Sequence, residues 1–428
     1  MMVFLTFNIS FAQNLSSLGT INTSITSSSM DMSDDGDVVV IGSTGSKTVK
    51  VYEHNGSSWA QKGSSITSTT SGFGYSVAVS GDGTKVVIGN FQANSYVGEM
   101  HIYGFNGSYW VLEGTFSGNY TSSNSFQRYF GISVDISDDG KWVVVGAPET
   151  RNSSGNYEGS IEVYYNSSGS TWTLKDTEYG LTSNRELGYG VSISGDGSRI
   201  AACTRGSSNY TNTVKIYNKS SSGYLSHVKS YNGVTNSFFG YDMDFSYDGK
   251  ELAVGARSES STGKVHIYKY TSSWASSASA TVANQSTGNF GKTVTMSNDG
   301  SRIAVGGASN AMRVYVEVNN SWVQIGSDVT SGGYVGMSGD GSRAVTSSGT
   351  NIYTHTVPDP CFDPSAMSAP NITTSSANLS WTIGGLESDW NVEWSTSPIT
   401  PGQGATPTTT NSLSLNSLNE NTKYYVYY

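Results

Sequence analysis

The residues of this chain best suited to chemistry are its acids. Asp34-Asp35 and Asp138-Asp139 set two carboxylates side by side, whereas most comparable turns carry one. Ca²⁺ takes about 6–8 oxygen ligands, so these acids are expected to hydrogen-bond their own turn backbone instead. Asp31, Asp135 and Asp244 recur at one position of an alternating strand. They could line a channel and hold a cation there. Hydrogen bonding to neighbouring strands or to channel water is the expectation. Any two of the 33 acids could converge as a glycosidase pair, and nothing singles one out. His101 and His266 share a repeat position with Lys50, Glu162, Lys215 and Arg313, which reads as a solvated strand face. No His-x-x-x-His, Cys-x-x-Cys, Walker loop or Gly-x-Ser-x-Gly elbow occurs. No catalytic residue, cofactor or metal is assigned.

Recognition chemistry is easier to place. Three connecting segments are long: Asn90 to Tyr96, Pro148 to Tyr157, and Arg205 to Asn212. Two others add Tyr120, Phe126, Arg128, Tyr129 and Arg185. Tyr, Asn and Arg are amphipathic and rich in donors, which suits a contact surface. Tyr96, Tyr120, Arg128, Tyr129, Tyr157, Arg185 and Tyr210 are therefore the expected ligand-binding residues, for a glycan or a protein.

A repeat must position them. The word Ser-x-Asp-Gly occurs seven times, with its Gly at 36, 83, 140, 197, 249, 300 and 341. The spacings of 47, 57, 57, 52, 51 and 41 residues are those of propeller blades. An alternating strand precedes each turn, as in Val134-Asp135-Ile136, and a continuous apolar run follows, as in Trp142 to Val145. Asp-Gly between two such runs signals a hairpin. A third strand ends in an apolar residue plus Tyr, and a fourth often opens with Trp. Seven units of four strands predict an all-β, seven-bladed β-propeller over residues 13–357. The last unit lacks its fourth strand. Leu15 to Gly19 aligns with Trp322 to Gly326, so the N-terminal strand is expected to close the ring.

Phe73-Gly74, Phe130-Gly131, Phe239-Gly240 and Phe290-Gly291 open repeats that run on to Val-Gly. This resembles the FG-GAP repeats of integrin-alpha-like propellers. The resemblance implies adhesion or extracellular ligand binding. The family's calcium loops read Asp-x-Asp-x-Asp-Gly, and that pattern is missing here, so its metal site is not carried over.

Residues 364–428 differ in character, after a linker at 358–363. Leu379-Ser380-Trp381, the alternating Trp390 to Trp394, and Leu418 leading to Thr422-Lys423-Tyr424 resemble a truncated fibronectin type III β-sandwich. The resemblance puts Trp381 in the core and makes Tyr424 the tyrosine corner, its hydroxyl bonded back to the preceding turn. The chain stops within a strand at Tyr428, so a continuation is expected.

Composition agrees with this reading. The 428 residues carry a formal charge of −10, which disfavours nucleic acid and anionic membrane surfaces. Charged residues are only 13%, with 50 Gly and 12% aromatics, a balance that suits a large secreted β protein. Residues 1–12 read as a signal peptide cut after Ala12, and no segment is long enough for a membrane span. Cys203 reads as a buried core residue and Cys361 as a linker residue without a partner. The expected protein is secreted or displayed at the cell surface, non-catalytic, with a monomeric propeller. Its rivals are an accessory module of a larger secreted hydrolase, and a propeller hydrolase or lyase marked by convergent carboxylates of raised pKa.

Overall fold

The computed structural model describes residues 5–7, 14–118, 128–151, 155–167, 171–180, 185–206, 211–283, 288–308, 311–318, 320–329, 333–359, 365–382, 390–397, 406–419, 422 and 424–427. The chain divides into two compact units. One is Leu15–Val357, and the other joins Met1–Asn14 to Pro358–Tyr428. No helix among the described residues is long and apolar enough to cross a membrane.

Seven antiparallel sheets make up the described part of Leu15–Val357, six of four strands and one with a short fifth. One runs Ser76–Val79, Lys85–Asn90, Glu99–Phe105 and Trp110–Ser117 in simple up-and-down order. The Ser-x-Asp-Gly word builds the first hairpin of each. In the third copy the Ser137 hydroxyl donates to Asp139 Oδ1 (2.7 Å) and accepts the Trp142 N–H (3.1 Å). The same carboxylate oxygen accepts the Lys141 N–H (3.0 Å). Ser80, Ser194, Ser246, Ser297 and Ser338 make the same pair of bonds, as does Ser33. Gly140 closes the turn at φ +65°, a conformation that costs a residue with a Cβ. Asp35 and Asp139 thus bond their own turns, as expected, whereas the side chains of Asp34 and Asp138 meet each other instead.

The turns also join one sheet to the next. The second residue of each word, or the third at Asp196, donates a backbone hydrogen bond to the next: Asp34 N to Gly81 O, Gly81 N to Asp138 O, and Asp138 N to Gly195 O. Asp196 N to Tyr247 O, Tyr247 N to Asn298 O, Asn298 N to Gly339 O, and Gly339 N to Asp34 O follow. The series returns to its start and forms a closed belt.

Large apolar side chains fill the spaces between sheets. Phe73, Phe130, Phe239 and Phe290 are fully buried, each contributing about 1.5–3 kcal/mol by area. The Gly of Val-Gly is needed for close approach: a Cβ on Gly89 would run into the carbonyl oxygen of Gly131 in the next sheet. Ser76 Oγ donates to that same carbonyl (3.0 Å). The Trp residues opening outer strands bridge sheets as well. Trp110 Nε1 donates to Lys62 O (2.8 Å), and Trp59 Nε1 to Thr354 Oγ1 (3.2 Å). Cys203 is buried in this core.

The last sheet takes its outer strand from the other end of the unit. Ser16–Asn22 pairs antiparallel with Asn351–Thr356, placing Ile21 opposite Ile352. Ile21 is buried in a cluster with Met32, Val39 and Val345.

In the other unit, one sheet orders Ser365–Ile372, Ala377–Thr382 and Ser412–Leu415. A second contains Leu5–Phe7, Tyr424–Tyr427, Trp390–Ser395 and Thr406–Thr408. Leu5–Phe7, within the expected leader, pairs parallel with the strand at Tyr424 to Val426. Trp381, Leu379, Leu415 and Tyr424 share one core. The Asn419 N–H donates to the Tyr424 hydroxyl (2.8 Å), the back-bond expected of that tyrosine. Cys361 lies outside the described residues.

Candidate binding site

The first strands of all seven sheets surround an axial cavity of about 410 Å³. Alternation decides what faces it, because every second residue of an inner strand points the same way. At one end stand Tyr75, Tyr189, Tyr241 and Tyr334, with Lys292 and Asp242 among them. Hydroxyls of Ser29, Ser76, Ser133 and Thr293 form the next tier. Asp31, Asp135 and Asp244 lie deeper and also line a second, smaller space of about 70 Å³ with Asp34 and Asp138.

The deep carboxylates are engaged with the neighbouring sheet. Asp31 Oδ2 accepts the Val79 N–H (2.8 Å), Asp135 Oδ2 that of Ile193 (2.8 Å), and Asp244 Oδ2 that of Met296 (2.7 Å). Asp242 Oδ2 accepts from Val294 N (2.8 Å) in the same manner. This is the strand-to-strand bonding expected of the recurring aspartates. Burial raises all of them despite these bonds: Asp31 to about 6, Asp242 to about 7, Asp244 to about 8, and Asp135 well above the ordinary range. Burial and the adjacent Asp34 carboxylate push Asp138 upward too. Among the described residues, no group of three or more His, Cys, Asp or Glu side chains is placed to hold a metal ion.

The mouth carries cations stacked on its tyrosines. Lys292 Nζ lies 4.5 Å from the Tyr334 ring centre, and Arg257 lies 4.3 Å from that of Tyr241. Arg205 covers Tyr189 at 4.8 Å and bonds its hydroxyl. Burial and the nearby Arg257 charge hold the Lys292 pKa below its usual range.

Of the expected contact residues, the structure brings Tyr96 and Tyr129 together, with ring centres 5.4 Å apart. Both touch Phe91, at 6.1 and 5.6 Å. Phe91 packs in turn on Tyr75 of the cavity at 4.6 Å. Backbone strain marks this cluster: Asn94, Ser95, Tyr96 and Tyr129 all have φ between 51° and 72°. Non-Gly residues held there cost about 1–3 kcal/mol each and gather at functional sites. Tyr157 carries Arg151, whose guanidinium lies 4.0 Å from its ring centre, and lies near enough to Tyr129 to act on its charge. Glu149 and Glu186 are close by. Burial raises both, the charges of Arg151 and Arg205 lower Glu149, and Arg205 lowers Glu186.

Arg128 turns inward. It is buried, with its guanidinium on Thr150 Oγ1 (3.1 Å), Ser160 Oγ (3.3 Å) and Glu162 Oε1 (3.3 Å). Glu162 is itself buried, so the shared repeat position is not uniformly solvated. His101 and His266 there pack against Phe73 and Phe239, at 5.5 Å each. Tyr120, Tyr210 and the Arg185 side chain lie outside the described residues.

The mouth residues were not singled out from sequence, although a signal existed. Tyr75, Tyr189, Tyr241, Lys292 and Tyr334 each directly follow a Gly at the start of an inner strand.

No family model matches the chain, and no curated protein matches it in sequence. Among solved structures it is similar to the hydrazine synthase of Kuenenia stuttgartiensis, at 14% identity and a TM-score of 0.55. The match covers 79% of this chain and 97% of that one. At that identity the likeness is one of fold alone, and the fold is β-propeller-like.

Proposed function

We propose that this is a secreted or cell-surface binding protein, non-catalytic, that presents a rigid propeller to an extracellular glycan or protein. The seven sheets are its blades, and the N-terminal strand closes the ring. The closed belt from Asp34 round to Gly339 supports that count. The FG-GAP reading rests on the buried Phe-Gly pairs. The fibronectin type III reading of the C-terminal unit rests on the Tyr424 back-bond and the Trp381 core.

One observation carries the binding role. Tyr75 lines the axial cavity while its ring packs on Phe91, so the loop cluster of Tyr96 and Tyr129 is continuous with the cavity mouth. Aromatic faces beside many hydroxyls form the mixed surface on which sugars dock, and the volume falls within the roughly 300–1,000 Å³ of small-molecule sites. The test is a glycan array and a protein-binding screen with the full chain. Binding that Tyr96→Ala or Tyr75→Ala abolishes in a normally folded protein is the expected result. Retention of all binding by both variants would refute the site.

A second reading, a propeller hydrolase or lyase, is favoured by Glu149 and Glu186, two neighbouring carboxylates of raised pKa. Turnover of an array hit that Glu149→Gln or Glu186→Gln eliminates would move the protein to that class.

A further inference from the structure

We infer that the axial cavity is a subsite for an anionic sugar whose carboxylate or sulfate group is held by Lys292 and Arg257. This rests on the glycan-binding reading above and adds the charge of the ligand.

Lys292 lines the cavity, and Arg257 stacks on Tyr241, which lines it too. Acids outnumber bases by 33 to 23, and some strand lysines sit on carboxylates, Lys85 on Glu113 (2.6 Å), Lys264 on Glu259 (2.8 Å) and Lys269 on Glu251 (2.8 Å), whereas Lys175, Lys219 and Lys229 stack on rings away from the cavity. Lys292 and Arg257 make no ion pair among the described residues. The Arg257 charge makes that of Lys292 less favourable. Lys292 is partly withdrawn from water and only partly offset by Asp242, so an anion placed between the two like charges would relieve them.

The stacking is consistent with such a role. Lys292 rests on Tyr334, and Arg257 on both Phe238 and Tyr241, at 4.3 Å from each ring centre. Cation–π contact orders a long side chain through the ring face and leaves its N–H donors available. A guanidinium offers the paired donors that match a carboxylate or sulfate. Asp242, the nearest carboxylate, has Oδ2 on the Val294 N–H (2.8 Å) and makes no ion pair with Lys292. The surrounding tyrosine and serine hydroxyls suit the neutral part of a sugar ring.

The experiment is calorimetry on the full chain with trigalacturonic acid, its methyl ester, and a sulfated chondroitin disaccharide. The acid should bind at least about tenfold tighter than its ester, as expected for a charge-assisted hydrogen bond. K292Q and R257Q should each lower acid affinity by about tenfold or more, and by more than they lower ester affinity, and Lys292→Arg should retain the preference. Whether the acid or the sulfated sugar binds more tightly identifies the anion. Equal affinity for acid and ester overturns the inference, as does full acid affinity in a folded K292Q. Binding that Tyr96→Ala removes for acid and ester alike, with K292Q unaffected, leaves the glycan reading standing without this subsite. Absence of binding across neutral and acidic sugars overturns both.

Discussion

The Gly339 backbone N–H donates to the Asp34 carbonyl, 2.8 Å away, and ties the last Ser-x-Asp-Gly turn to the first. Closure at the turns is matched further out by Ser16–Asn22, which covers the edge of Asn351–Thr356. An uncovered edge would expose a row of unpaired N–H and C=O groups. Ile21 is the buried anchor of the covering strand. Ile21→Ala should destabilise the propeller unit by about 2–5 kcal/mol, whereas Thr20→Ala, at an exposed position, should be nearly neutral. Chemical denaturation of both variants checks this, and equal midpoints would mean that the strand does not hold the ring.

The hairpin serines should matter as much as core residues. Ser137 is fully buried, and its hydroxyl serves both the Asp139 carboxylate and the Trp142 N–H. Ser137→Ala leaves that N–H and one carboxylate lone pair without their partner, at a cost of about 1–3 kcal/mol. Asp139→Ala leaves the serine bonded to Trp142 and should cost less. The two melting temperatures give the order, and the reverse order would contradict this account of the turn.

Two sets of aspartates pull stability in opposite directions with pH. In the folded protein Asp31, Asp242 and Asp244 titrate near 6, 7 and 8, above their unfolded value of 3.8. Their contribution is complete below about pH 4 and is lost as pH rises through those folded values. The turn acids Asp82, Asp248, Asp299 and Asp340 behave oppositely. Burial raises them, but hydrogen bonds from serine hydroxyls and turn N–H groups bring them below 3.8 on balance. Their contribution is lost as pH falls through those lowered values. The melting temperature should therefore peak at about pH 4 and decline towards pH 8.5. Asp244→Asn should flatten part of that decline. A melting temperature that rises from pH 5 to 8.5 would show that the deep aspartates ionise freely.

The sequence announces whatever is local. All seven hairpins follow from one four-residue word, because serine, aspartate and glycine act within a single turn. The aspartates of the inner strands were visible as a recurring position, but their partners were not. Asp31 bonds the Val79 N–H, and a backbone donor leaves no mark in the side-chain sequence. The same reason hides the belt. Arg128 shows the converse case: its loop setting suggested a surface residue, and the distant Glu162 draws it inside. Lys292 was legible only as a departure, a lysine where Tyr75, Tyr189 and Tyr241 stand in other repeats.

Tyr424 should stabilise the C-terminal unit through its hydroxyl as well as its ring. The ring shares a core with Trp381 and Leu418, and the hydroxyl accepts the Asn419 N–H. Tyr424→Phe keeps the ring and removes the acceptor, which should cost about 0.5–1.5 kcal/mol. Trp381→Ala removes core volume and should cost about 3–5 kcal/mol. Calorimetry should show both losses in one transition. The transition of the Leu15–Val357 unit should stay in place, since each unit has its own core. Movement of both transitions together would mean that the units unfold as one.

The loop cluster offers the most direct test of binding. Tyr96 is 37% exposed and rests on Tyr129 and Phe91, so it is both accessible and fixed in place. A rigid aromatic loses little conformational entropy on contact, which is why such residues dominate recognition surfaces. Tyr96→Ala should weaken ligand binding by roughly tenfold or more, with little change in folding. The strain at Asn94, Ser95 and Tyr96 makes a further demand. If that conformation is held for binding, Ser95→Gly should relax the backbone, preserving or raising stability while lowering affinity. A Ser95→Gly protein that gains stability and binds as before would show that the strained loop has no part in recognition. The contact surface would then have to be sought at Tyr157 and Arg151, beside Glu149.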